Sequence, residues 1–261
     1  MTGPLLVTGG SGYLGRELLR RSPGAVGASR GEGLRLDVRD AGAVRAAIER
    51  LRPAAVIHTA YRQDDRATTL DGAVHVAEAA AAAGARLIHL STDVVFDGEK
   101  GAPYTEEDEP RPITPYGRDK ADAERAVREA YPGALIVRTS LMYGGAEAGP
   151  QERMAADPKA RFFTDELRSP VHVGDLAAAL LELADRSESG ILHAAGADAL
   201  SRFDFARLLS PEPDRVQAAT LAGSGLVRPR DCSLSSARAA ALLETRLRGA
   251  RQVLERGRAR P

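Results

Sequence analysis

Tyr116 and Lys120 stand four residues apart, a spacing that puts both on one face of a helix with the ammonium beneath the phenol. A phenol titrates at about 10, and a nearby cation favours the phenolate, so the pair suits proton delivery to a carbonyl oxygen. Upstream lies Ser91-Thr92-Asp93, where the Thr92 hydroxyl can orient that carbonyl. Ketone reduction needs a proton at oxygen and a hydride at carbon, and the hydride must come from a cofactor. A place for one is written near the start, in Val7-Thr8-Gly9-Gly10-Ser11-Gly12-Tyr13-Leu14-Gly15. Gly10, Gly12 and Gly15 satisfy the dinucleotide fingerprint, and Gly9, Gly12 and Gly15 its three-spaced variant. Missing side chains let the backbone turn tightly and approach a pyrophosphate, whose charge meets the N–H groups opening a helix.

The second strand ends Ala28-Ser29-Arg30, where an NAD-binding chain carries Asp or Glu for the ribose hydroxyls. Ser29 and Arg30 offer a hydroxyl and a guanidinium suited to a 2′-phosphate, so NADP(H) is preferred. Glu32 is within reach of a ribose, which keeps NAD(H) as the alternative. Asp37-Val38 can bracket the adenine; the competing reading makes Asp37 and Asp40 helix caps.

These residues need elements to position them. Strands are predicted at Leu5 to Thr8, Ala25 to Ser29, Ala55 to Thr59, Arg86 to Ser91 and Ala134 to Thr139. Helices are predicted at Leu14 to Arg21, Val44 to Leu51, Asp71 to Ala83 and Pro115 to Tyr131. The alternation gives an α/β fold, a Rossmann doubly wound parallel sheet, over residues 1–140. Residues 141–261 read as a small region interleaved with the first, whose Asp175 to Ala184 helix and Ile191 to Ala194 strand return to the sheet. Further helices are predicted at Arg202 to Leu209 and Ser236 to Leu243. The Arg-rich tail after Arg246 reads as a solvated, partly frayed helix.

Composition narrows the class of partner. The chain has 261 residues, 43% hydrophobic and 28% charged, the balance of a globular protein with a sizeable core. Thirty-six basic residues offset thirty-six acidic ones, so no global field favours nucleic acid or an anionic membrane. Cys232 stands alone, no leader is read in Met1 to Gly10, and no apolar run is long enough to span a bilayer, which together predict a cytoplasmic protein. Lysine occurs only at positions 100, 120 and 159, and Asn and Trp are absent, as in a GC-rich genome or a hot habitat. Histidines 58, 75, 89, 172 and 193 form no metal-ligand spacing, so no metal is predicted. Cys232 lacks a sequence-local base and reads as inert. Arg168, read as a loop residue, is the better diphosphate ligand, whereas Arg138 is read equally as a ligand or a buried structural cation. Met142 and Tyr143 read either as nicotinamide lining or as core.

The segments Ser91 to Gly98, Pro115 to Lys120, Val137 to Ser140 and Arg168 to Leu176 resemble the extended short-chain dehydrogenase/reductases. Within them they look most like the branch containing dTDP-4-dehydrorhamnose reductase, over residues 4–245. The resemblance implies a Rossmann domain with a small substrate domain, and reduction of the 4-keto group of a nucleotide-linked deoxysugar by NADP(H) or NAD(H). It puts the catalytic roles on Thr92, Tyr116 and Lys120. The cofactor is then held by Gly9, Ser11, Gly12, Tyr13, Leu14, Gly15, Ser29, Arg30, Asp37, Val38, Thr59, Ala60, Tyr61, Ser91, Tyr116 and Lys120. The substrate, a nucleotide sugar, meets Asp93, Val94, Leu141 and Arg168; neither nucleic acid nor membrane is a partner, and a homodimer is compatible.

The sequence also departs from the branch. Val94 and Leu141 stand where it carries Tyr and Trp, the segment from Gly144 to Asp157 is short, and His58-Thr59-Ala60-Tyr61 replaces an Asn-containing turn. These changes thin the aromatic lining and keep a smaller keto substrate open. Two alternatives stand beside the reductase. One is an NADP(H)-binding regulatory protein without turnover, since the methionine adenosyltransferase regulatory subunit resembles this branch. The other is a sugar nucleotide epimerase or dehydratase with tightly held NAD, which Ser29-Arg30 disfavours.

Overall fold

The structure, a computed structural model, describes residues 3–258. Met1, Thr2 and the last three residues of the Arg-rich tail lie outside the described residues. Buried β1 (Leu5–Thr8) leads through the glycine loop into α1 (Tyr13–Arg21), β2 (Val26–Ser29) and β3 (Leu34–Arg35). Asp40 accepts from the Ala43 N–H at 2.9 Å and so starts α2 (Ala41–Leu51), which is followed by β4 (Ala55–His58). The helix predicted from Asp71 opens earlier, as a π-type turn over Ala67–Asp71, and continues as α3 (Gly72–Ala82). Then come β5 (Arg86–Thr92), a 3-10 turn (Asp93–Val95), α4 (Pro115–Ala130) and β6 (Leu135–Thr139).

The sheet has seven strands: the five predicted before residue 140, the strand predicted at Ile191 to Ala194 that returns to it, and β3. Its order is β11-β6-β5-β4-β1-β2-β3, where β11 is Gly190–His193. Strand β3 escaped the pattern because two residues carry no alternation. The pairs β3–β2, β2–β1, β1–β4 and β4–β5 are all parallel. The chain leaves β1 in one direction and returns past it to β4, so a crevice opens beyond the carboxyl ends of these two strands, at the switch point of the sheet. Leu6, Val56 and Leu87 from the sheet pack with Val44, Ile48, Val76 and Val127 from the helices.

The chain divides into two compact units, and the division is not a single cut. The first comprises residues 1–91, 115–137 and 177–192; the second comprises 92–114, 138–176 and 193–261. In chain order the remaining elements are β7 (Met142–Tyr143), α5 (Pro150–Ala155), β8 (Arg161–Phe163), β9 (Leu167–Arg168), β10 (Val171–His172) and α6 (Val173–Ala184). After β11 come β12 (Leu200–Ser201), α7 (Arg202–Leu209), β13 (Gln217–Ala219), α8 (Ala237–Leu242) and α9 (Ala250–Arg258). Three two-stranded sheets, β10-β7, β12-β9 and β13-β8, organise the second unit around Tyr143, Leu200, Phe205 and Ala250. The described part of the Arg-rich tail is not frayed. Val253 and Leu254 of α9 pack on this core, and the Arg248 guanidinium grips Asp175 through two bonds of 2.7 and 2.8 Å. No helix among the described residues is long and apolar enough to cross a membrane.

Candidate functional site

Gly9 follows β1 with φ +74°, where side chains other than glycine are strained. A Cβ on Gly9 would lie 2.7 Å from Thr59 Oγ1, and one on Gly15 would collide with the Gly9 carbonyl oxygen. Gly12 caps α1 without a side-chain bond and no acid stands in the first turn, which leaves the positive end of the helix suited to an anion. Gly9, Ser11, Gly12, Ser29, Arg30, Asp37, Val38, Thr59, Ala60 and Tyr61 line one cleft of about 210 Å³. Leu14 and Gly15 are buried behind the loop and Tyr13 is half-buried at the start of α1, so they can offer backbone more than side chain.

Inside this cleft several polar groups already have partners. The Ser29 hydroxyl donates to the Glu32 carbonyl at 2.7 Å and accepts from the N–H groups of Gly31 and Glu32, at 3.2 and 2.8 Å. Ser29 thus shapes the turn that leaves Arg30 exposed, instead of offering an unengaged hydroxyl. Asp37 is bonded bidentately by Arg39, which holds its carboxyl down at about 2. The Thr59 hydroxyl donates to the Thr8 carbonyl at 2.7 Å, closing β4 on β1.

Pro115 opens α4, where its missing N–H is harmless. Tyr116, Lys120 and Glu124 follow at four-residue spacing along one face. Lys120 is only 3% exposed, and its Nζ donates to the Leu90 carbonyl at 2.5 Å and lies 3.2 Å from His89 Nε2. Burial pushes its pKa from 10.5 down to about 8, against the pull of the Glu124 carboxylate. The Ser91 hydroxyl, expected at the cofactor, donates to Glu124 because both are enclosed between β5 and α4. Half-buried Tyr116 lies with its ring centroid 5.7 Å from that of Tyr61, which connects it to the cleft.

Beneath Lys120 sits a pair of histidines. His58 of β4 and His89 of β5 are opposite each other in the parallel register, with ring centroids 5.2 Å apart and planes tilted by 21°. Burial, reinforced by the Lys120 charge, lowers His58 to about 3 and holds His89 well below its ordinary value, so both imidazoles are neutral. His58 Nδ1 is 2.7 Å from the Thr8 hydroxyl. His58 Nε2 and His89 Nδ1 are buried without a hydrogen-bond partner among the described residues, a state that costs about 1–3 kcal/mol per group. Sequence reasoning missed His89 and Glu124 as site residues. Glu124 continues the spacing of Tyr116 and Lys120, and His89 shares its strand face with Ser91, so both signals were present.

The remaining candidates belong to the second unit. The Thr92 hydroxyl, at the carboxyl end of β5, donates to Asp93 Oδ1 at 3.2 Å. Asp93 is 3% exposed; burial raises its pKa, opposed by Arg168 at 3.6 Å and by the Ser140 hydroxyl at 2.6 Å. Its carboxylate is therefore enclosed by its own unit. Arg168 corrects the sequence reading, being a 2% exposed residue of β9 and not a loop ligand. It donates to the carbonyls of Leu167 and Pro229, at 2.6 and 3.2 Å, and pairs with Glu166 at 3.1 Å, which takes up the fork of the guanidinium. Arg228, 43% exposed, grips Glu166 from the other side. Val94 and Leu141 are half-buried, and Leu141 packs on the Tyr143 and Phe205 core. Tyr143 is core, edge-on to Phe205, and Arg138 is fully buried over the Phe96 ring at 5.0 Å. Cys232 is buried with its Sγ donating to the Phe96 carbonyl, and burial raises its thiol pKa. Among the described residues no group of His, Cys, Asp and Glu is arranged to hold a metal ion.

Residues 2–257 match the family described as RmlD substrate binding domain. A dTDP-4-dehydrorhamnose reductase of Mycolicibacterium smegmatis is 34% identical, over 96% of this chain and 84% of that protein. A probable dTDP-4,6-dihydroxy-2-methyloxan-3-one 4-ketoreductase of Streptomyces antibioticus is 36% identical, over 86% and 82%. The crystal structure of dTDP-4-dehydrorhamnose reductase from Bacillus anthracis in complex with NADP matches with a TM-score of 0.87 at 25% identity, covering 100% of both chains. Joined to the glycine loop and the Tyr116–Lys120 face, these matches show that the chain belongs to the RmlD substrate binding domain family.

Proposed function

We propose that the protein is an NADP(H)-dependent reductase acting on the 4-keto group of a dTDP-linked deoxysugar. The observation that carries this reading is a buried lysine fixed beneath the helix face of a tyrosine, next to a glycine-lined cleft. The residues present fit a dinucleotide, because Gly9, Ser11 and Gly12 line the cleft and the backbone contacts at Gly9 and Gly15 are too close to admit a side chain, which keeps the tight turn that a pyrophosphate needs. Bound NADPH supplies the hydride.

Gly9, Gly12 and the first turn of α1 would hold the pyrophosphate, and exposed Arg30 the 2′-phosphate; NAD(H) remains the second choice. Tyr116 gives its hydroxyl proton to the carbonyl oxygen as negative charge builds there. The Lys120 ammonium favours the resulting phenolate and holds a ribose hydroxyl. Thr92 orients the carbonyl. Half-buried Val94 and Leu141 would contact the sugar, whereas Asp93 and Arg168 are enclosed among their own partners.

The test is a titration with NADPH and NADH followed by a panel of dTDP-4-keto sugars, read by loss of nicotinamide absorbance. Oxidation on a keto sugar, falling by a factor of about 10² in Tyr116→Phe with NADPH affinity unchanged, supports the reading. Tight NADPH binding without oxidation across the panel favours the regulatory reading. Cofactor that persists as NAD through dialysis favours an epimerase or dehydratase.

A further inference from the structure

We propose that His89 is a positioning residue for Lys120: its imidazole accepts one ammonium N–H through Nε2, the Leu90 carbonyl accepts a second, and the third is left for the Tyr116 side of the helix face. The inference deepens the reductase reading and rests on it.

Lys120 is buried, so every N–H of its ammonium needs an acceptor. The Leu90 carbonyl and His89 Nε2 are within reach, at 2.5 and 3.2 Å. The titratable groups around the contact are Lys120, Tyr116 and Glu124 on α4, His89 on β5 and His58 on β4. Glu124 supplies the counter-charge one helical turn from Lys120 and is engaged by Ser91. A second carboxylate in place of His89 would quench the positive charge on which the phenol depends. An apolar residue would leave an ammonium N–H unsatisfied. A neutral imidazole satisfies the hydrogen bond and preserves the charge.

The geometry fixes the tautomer, since an Nε2 that accepts from Lys120 leaves the proton on Nδ1. His58 keeps the ring from turning over: it stacks against His89 and is itself tied to Thr8. The unpartnered His89 Nδ1 is what remains when Nε2 is committed to the lysine.

Two side chains that mimic different imidazole nitrogens separate positioning from mere packing. Glutamine carries an acceptor near the place of Nε2, whereas asparagine carries one near the place of Nδ1, out of reach of Lys120. The chain has three lysines, so the carbon-13 lysine signals of Lys120 can be assigned with Lys100→Arg and Lys159→Arg and titrated by NMR. The expected result is titration at about 8 in the wild type and in His89→Gln. In His89→Asn the titration falls by about one unit, with the same displacement in the basic limb of kcat/KM. An unchanged Lys120 in His89→Asn, or an equal fall in both variants, overturns the proposal. Without any variant, nitrogen-15 histidine shifts in the wild type read the tautomer: a bare Nε2 supports the assignment and a protonated Nε2 overturns it. The two NMR readouts need no substrate, so absent keto-sugar turnover beside the expected titration overturns the reductase reading alone.

Discussion

Lys120 makes the stability of this protein depend on pH in an unusual direction. A buried ammonium whose pKa falls from 10.5 to about 8 on folding is a charge that the native state holds reluctantly. Below pH 8 the folded and unfolded chains both keep the proton, and the penalty is constant. Between about 8 and 10.5 the folded chain releases it first while the unfolded chain still binds it, so native stability rises with pH. A difference of 10.5 − 8 in pKa corresponds to about 3 kcal/mol. Lys120→Met removes this proton and leaves His89 and Leu90 with a lost donor, an offset that does not change over this range. The informative quantity is therefore the difference between wild type and Lys120→Met, in which the titrations of groups remote from Lys120 cancel. Urea unfolding of both proteins at intervals from pH 7 to 10.5 should show the wild type gaining about 3 kcal/mol on the variant, mostly above pH 8. Parallel profiles, or a gain by the variant, would refute the assignment of a buried, charged Lys120.

Gly15→Ala should abolish NADPH binding, measured by fluorescence quenching, because the new methyl collides with the Gly9 carbonyl that shapes the phosphate loop. Arg30→Ala should weaken NADPH about tenfold and leave NADH nearly unchanged; equal effects on both would remove Arg30 from the 2′-phosphate. Arg168→Leu should lower unfolding free energy by about 3–5 kcal/mol, since it strips a buried cation from Glu166 and Asp93. NADPH affinity in that variant, read separately, should hold.

The dinucleotide half of the site was legible because its demands are local. A strand, glycines at fixed spacing and a helix specify the loop through backbone sterics, and the Tyr116–Lys120 pair is specified by helical period alone. What could not be read depends on neighbours distant in the chain. Arg168 lies beside Ser-Pro as a loop cation would, and only contact with Glu166, Asp93 and the carbonyl of Pro229 makes it structural. Ser91 looked like a hydroxyl at the end of a strand, and its choice of Glu124 rests on α4 packing across β5. The tail after Arg246 had the composition of a solvated segment, but Asp175, more than seventy positions earlier, supplies the partner that pins it.

The interleaving of the two units sets the order in which this protein can be made. The chain passes between them at residues 91/92, 114/115, 137/138, 176/177 and 192/193, so no single excision yields either unit intact. The last strand of the main sheet, β11, adds to β6 only after about fifty intervening residues have emerged. During synthesis the glycine loop can form early, but the edge of the sheet at β6 stays uncovered until residues 190–193 arrive. A ribosome stalled before that point would hold a nascent chain with an adhesive strand edge, so shielding by a chaperone is expected to matter most in that interval.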